Sequence, residues 1–167
     1  VGDDAAGRVA LAFVPPIQAV GRGEYRVSLA DAERELLRML PAELRTLLGT
    51  DPDDRSLRRL FPPAYEEDDA EAEYRRLMGA ELLDGRREAL RILEETAGND
   101  RLTQEELDAW LAALNDLRLV LGTRLDVTEE TYDREVDPRD PRAYEHSVYL
   151  YLSWLQEHAV AAAARDL

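Results

Sequence analysis

The 167 residues carry 36 Asp and Glu against 21 cations, all of them Arg, for a formal net charge of −15. So acidic a chain repels phosphate backbones at long range, which excludes nucleic-acid binding by the overall field and leaves only a local Arg face as a route to it. Zero Cys excludes disulfides, thiolate nucleophiles and cysteine-held zinc, while 45% hydrophobic and 34% charged residues exclude wholesale disorder and suit one domain that buries roughly two thirds of its unfolded surface.

In chain order, Val9 to Val14 and Glu24 to Leu29 are short segments with β-branched or aromatic content. Pro15, Pro16, Gly21 and Gly23 separate them, and together they predict a small N-terminal hairpin. Val9 to Val14 is also too short an apolar run for a signal peptide, and nothing approaches a membrane span of about 18 apolar residues, so a cytoplasmic protein is expected. After Ser28 the texture changes. Ser28 can cap a helix with Asp31 three residues on, and Leu29, Ala32, Leu36, Leu37 and Leu40 recur at helical spacing. Pro41 is expected to restart a second short helix to Leu48, because proline suits a first turn and not an interior.

Residues 49–54 read as a turn from which Asp53 or Asp54 caps a short helical piece to Leu60, stopped by Phe61-Pro62-Pro63-Ala64-Tyr65. The acidic run Glu66 to Glu73 then opens a long helix to about Thr96, since negative residues complement the dipole of a first turn. Gly79 and Gly85 weaken its continuity. Thr103 to Glu106 is a capping box that launches the cleanest amphipathic stripe: Leu107, Trp110, Leu111, Leu114, Leu117, Leu121 and Leu125, with Gly122 loosening the last turn. Asp133 to Asp140 is an acidic loop. Asp140 as cap and Pro141 as first residue begin a final helix, with Tyr144, Val148, Tyr151, Leu152, Leu155 and Ala159 along one side.

Chemistry-bearing patterns are scarce. His146 and His158 fit no ligand spacing. The Asp51-Pro-Asp53-Asp54 start of a calcium loop fails at its sixth position, Ser56, and its twelfth, Pro62. Gly21 and Gly23 lack the third glycine of a dinucleotide fingerprint. No Ser lies in a nucleophile elbow, and no acid pair is marked as convergent, so no catalytic group, metal or cofactor is expected. Tyr144, Tyr149, Tyr151 and Trp154 cannot all lie on one helix face. Tyr149 and Trp154 fall away from the stripe and are either interface anchors or packed against the N-terminal hairpin.

Three segments go beyond helix grammar: Leu60-Phe-Pro-Pro-Ala-Tyr65 with Glu73-Tyr-Arg-Arg-Leu77, Leu114-Asn-Asp-Leu-Arg-Leu-Val-Leu-Gly-Thr-Arg-Leu-Asp-Val127, and Tyr149-Leu-Tyr-Leu-Ser-Trp-Leu-Gln156. Together they resemble the actinobacterial AosR-like family, over about Ser28 to Val160. The resemblance implies a transcriptional regulator of the oxidative-stress response that acts with an alternative sigma factor. The family's redox switch relies on a cysteine pair, which these residues do not contain.

The sequence therefore predicts a mainly α fold, a compact bundle of five or six helices with a small N-terminal β element, in one domain over residues 1–167 (a hairpin-like segment 1–27, a helical body 28–167). The expected function is non-enzymatic regulation through a protein partner, a sigma factor or polymerase component, contacted by Asn115, Asp116, Arg118, Arg124, Tyr149 and Trp154. A scaffolding homodimer is the alternative. Direct DNA contact would need an Arg face such as Arg86, Arg87 and Arg91.

Overall fold

The computed structural model describes residues 13–129 and 137–165. Four long helices pack with a three-stranded antiparallel sheet at one end. Strand β1 (Ile17–Gly21) pairs with β2 (Glu24–Val27), and β2 with β3 (Arg101–Thr103), in the order β1-β2-β3. The hairpin expected from sequence is present but shifted. Its first strand follows Pro15 and Pro16, whose missing N–H groups cannot serve a ladder, while Phe13 and Val14 precede it as irregular chain. The rest of the expected Val9–Val14 segment lies outside the described residues. Gly23, at φ +69°, makes the turn that a side chain would strain. β3 has no signal in the sequence because three residues are too few to show alternation; only Leu102, paired with Tyr25, faces inward.

Helix α1 spans Asp31–Thr50 and α2 Asp68–Thr96. α3 spans Gln104–Arg124 and α4 Ala143–Ala164. Among the described residues there are four helices rather than five or six, for two reasons. Pro41 does not begin a new helix: it is buried in mid-α1, between Leu37 on one side and Leu44 and Leu48 on the other. Packing of those leucines against α2 offsets the cost of roughly 3 kcal/mol that an interior proline carries. The piece after Asp54 is only a 3₁₀ turn at Arg55–Leu57, capped by the Asp54 carboxylate accepting from the Ser56 N–H at 2.7 Å.

The start of α1 also differs from expectation. Ala30 is its cap, and the Glu33 carboxylate accepts from the Ala30 N–H at 2.7 Å, while the Ser28 N–H donates to the Pro16 carbonyl at 2.8 Å and ties the helix entry to β1. The Thr103–Glu106 capping box of α3 forms as expected, the Thr103 Oγ1 accepting from the Glu106 N–H at 3.2 Å and Glu106 accepting from the Thr103 N–H at 2.8 Å. α4 begins at Ala143, two residues after Pro141, with Asp140 accepting from the Arg142 N–H at 2.8 Å just ahead of it.

α3 is the central helix, with α2 and α4 against it and α1 against α2. Trp110 is fully buried, its indole N–H donating to Thr96 Oγ1 at 2.7 Å, and it shares one continuous core with Leu37, Leu48, Leu90, Leu93, Leu107, Leu114 and Leu152. α3 ends in a Schellman motif: Asp126 adopts φ +53°, the Val127 N–H reaches the Gly122 carbonyl at 2.8 Å and the Asp126 N–H the Thr123 carbonyl at 3.3 Å. α2 is different. Its buried residues begin only at Ala89 and its first side chain packed on the core is Leu83, so about four turns of helix, from Asp68 to Leu82, extend beyond the body with no side chain enclosed.

Candidate functional site

The polar residues of the Leu114–Val127 segment divide between the two sides of α3. Asp116 points toward α2 and is buried. Its carboxylate pairs with Arg86, which also donates to the Leu60 carbonyl at 2.7 Å and lies over the Phe61 ring at 5.3 Å from its centroid. One guanidinium thus holds α2, α3 and the Phe-Pro-Pro segment together. Burial raises the Asp116 pKa above its ordinary value, and the Arg86 charge and hydrogen bond offset this only in part.

Arg118 points the other way. Its Nε donates to Ser153 Oγ at 2.9 Å and its Nη1 to Gln156 Oε1 at 2.8 Å, so it fastens α3 to α4. The same guanidinium lies 5.8 Å from the centroid of Tyr149. Tyr149 is buried against α3, where Gly122 makes room for it: a Cβ at Gly122 would come within 3.3 Å of its ring. Gly122 therefore permits close helix approach rather than loosening a turn, and helical angle misplaced Tyr149 because α4 is covered by both α3 and β1. Asn115 is half-buried.

Arg124 and Trp154 lie nearer solvent. Arg124 is exposed at the end of α3 and lines a hollow of about 270 Å³ with Asp54, Arg55, Ser56, Thr123 and Asp126. The Asp54 carboxyl is held below the ordinary carboxylate range by its hydrogen bonds from Ser56 and, to a lesser degree, by the Arg124 charge. Trp154, half-buried on α4, stacks between Tyr151 at 5.9 Å and His158 at 4.7 Å, and His158 meets Phe13 at 5.8 Å. The Tyr151 hydroxyl is enclosed beside this stack, and burial followed by the nearby Glu33 charge pushes its pKa well up. Five of the six residues expected to form one contact surface therefore separate into two inward clamps, Asp116–Arg86 and Arg118–Ser153–Tyr149, and two outer positions, Arg124 at the end of α3 and Trp154 midway along α4, with half-buried Asn115 the sixth.

The Arg86, Arg87 and Arg91 row is internally compensated. Arg86 pairs with Asp116, Arg87 donates to the Leu48 carbonyl at 3.2 Å, and Arg91 bonds Glu88 and Glu95, which raise its pKa. Among the described residues no group of three or more His, Cys, Asp or Glu is placed to hold a metal ion. No described helix is long and apolar enough to cross a membrane.

A clamp that the sequence did not reveal is Arg34. Only 12% of its side chain is exposed, and it donates to the carbonyls of Leu29, Ala97 and Asn99 and to the Asp100 carboxylate, fastening the α2–β3 turn to the start of α1. Its position within an ordinary amphipathic pattern gave no signal; the three carbonyls converge only after folding.

The family model described as Domain of unknown function (DUF2017) matches residues 14–163, which contain every element described above except the last residue of α4. The chain belongs to this AosR-like family. A Mycobacterium leprae (strain TN) relative carrying the AosR name is 36% identical over 129 residues, covering 66% of this chain and 59% of the relative. Relatives named oxidative stress regulator AosR in Mycobacterium bovis and Mycobacterium tuberculosis H37Rv are each 35% identical over 127 residues, covering 65% of this chain and 58% of theirs. This AosR-like chain thus spans less than two thirds of the length of the curated relatives it matches. No solved structure matches.

Proposed function

We propose that this AosR-like chain is a non-enzymatic, cytoplasmic regulator of the response to oxidative stress, acting through contact with a sigma factor or another polymerase component. The observation that carries the reading is its similarity, at 35–36% identity, to relatives named oxidative stress regulators. The net charge of −15 and the pairing of Arg86, Arg87 and Arg91 within the fold favour a protein partner over DNA. Within that reading Arg124 and Trp154 are the contact candidates that reach solvent, whereas Asp116, Arg118 and Tyr149 hold the helices that present them. With zero Cys, any oxidant signal reaches these residues through a partner or through other chemistry than a thiol switch of their own.

Two measurements test this. The tagged chain is mixed with polymerase purified from its host and fractionated by size; co-elution with the enzyme or a sigma subunit is expected. Transcripts are then compared before and after peroxide in strains with and without the gene, and the peroxide-induced set is expected to change. An unchanged peroxide set together with no co-elution overturns the proposal.

A further inference from the structure

The part of α2 that outruns the body carries apolar side chains that stay exposed among the described residues. Tyr74, Met78 and Leu82 recur four residues apart and so share one face. Met78 is 36% and Leu82 42% exposed, with Leu77 beside them at 62%. Tyr65, at the end of the Pro-Pro segment, meets Tyr74 edge-on at 5.7 Å, and the Ala64 and Tyr65 N–H groups donate to the Glu71 carboxylate at 2.7 and 3.0 Å. The segment thereby forms a fixed wall beside the apolar row.

Charge decides what fits there. Residues 66–84 hold eight carboxylates against two cations, Arg75 and Arg76. Each cation is already paired within the helix, Arg75 with Glu71 at 2.7 Å and Arg76 with Glu73 at 2.7 Å, and Asp84 meets Arg87 at 3.9 Å, which leaves five carboxylates around the row without a cation among the described residues. A second copy would bring the same negative rim, on a chain of net charge −15, against itself. A membrane surface of anionic lipid is repelled for the same reason.

We infer that the projecting half of α2 and the Phe61–Tyr65 wall form a docking surface for a basic amphipathic helix of a partner protein, whose apolar face lies along Tyr74, Met78 and Leu82 while its Lys and Arg meet the acidic rim. This rests on the reading of the chain as a regulator that works by protein contact, and it adds the chemistry of the partner and the place where it binds.

The test uses the full chain and a labelled helical peptide of Leu and Lys heptads, followed by fluorescence anisotropy, with a Leu and Glu peptide of the same length as control. The basic peptide binds and the acidic one does not. The M78E/L82E variant alters two exposed side chains and keeps the wild-type melting temperature, yet it binds the basic peptide about tenfold more weakly or worse, as the loss of two apolar contacts requires. L150E, a change at a remote exposed site on α4, leaves affinity unchanged. Attraction by charge alone gives the opposite sign, since M78E/L82E is more acidic than the wild type; equal or tighter binding by that variant overturns the assignment. So does a wild-type dimer in sedimentation that M78E/L82E converts to monomer, which would assign the surface to a second copy. Peptide binding is read without any polymerase component, so failure here and failure of the regulator reading are separate results.

Discussion

Asp116 shows how a residue that resembles a recognition group becomes a structural one. Asp116→Ala leaves Arg86 partly buried with the Leu60 carbonyl and the Phe61 ring but no counter-charge, and is expected to lower stability by about 3 kcal/mol, the low end for a broken buried pair because Arg86 is 27% exposed. Urea denaturation of wild type and variant at neutral pH measures it. The pH dependence carries a sign. A carboxyl whose folded pKa is raised binds its proton more tightly folded than unfolded, so its contribution to stability grows as pH falls toward the ordinary value of 3.8 and declines as pH rises. Asp116→Asn cannot titrate. The stability of the wild type relative to Asp116→Asn is therefore expected to increase between pH 7 and pH 4, and a series of urea midpoints across that range checks it. Asp54, Glu71, Glu88 and Asp137 act in the other direction: hydrogen bonds lower their pKa values, so their contribution is lost as pH falls through the folded values.

At the scale of elements, the start of α3 was legible in the sequence where the middle of α1 was not. The Thr103–Glu106 box was readable because capping is local chemistry, complete within four residues. Pro41 was misleading because its effect depends on what packs around it, and α1 stays continuous where Leu37, Leu44 and Leu48 are held by the core. Gly79 and Gly85 likewise do not interrupt α2. A Cβ at Gly85 would meet nothing within 4 Å, so Gly85→Ala is expected to raise stability by about 0.5–1 kcal/mol through helix propensity and unfolded-state entropy. Thermal melts monitored by circular dichroism resolve a change of that size, and a fall in melting temperature would show that the open space is needed for something else.

Across the whole molecule, stability is unevenly distributed. Trp110, Leu90, Leu93, Leu107, Leu114 and Leu152 share one buried core, whereas the first four turns of α2 enclose nothing. Backbone amides of residues 72–82 are expected to exchange with deuterium much faster than those of 89–96, although both belong to one helix, because local opening there exposes no core. Peptide-resolved mass spectrometry compares the two directly, and equal protection would mean that the projecting half is as tightly held as the rest.

The mainly helical class, the acidic surface, the absence of any thiol and the membership suggested by the Leu114–Val127 segment were all determined by residues taken along the chain, since periodicity, charge and composition are local or additive properties. Folding decided the rest. Whether Asp116 and Tyr149 face a partner or a neighbouring helix depends on Arg86, thirty residues earlier, and on Gly122 across the α3–α4 contact. Whether Met78 and Leu82 are core or surface depends on where the body of the protein stops beneath α2. Such facts are set by which surfaces meet in space, and a one-dimensional pattern carries the same leucines whether or not anything covers them.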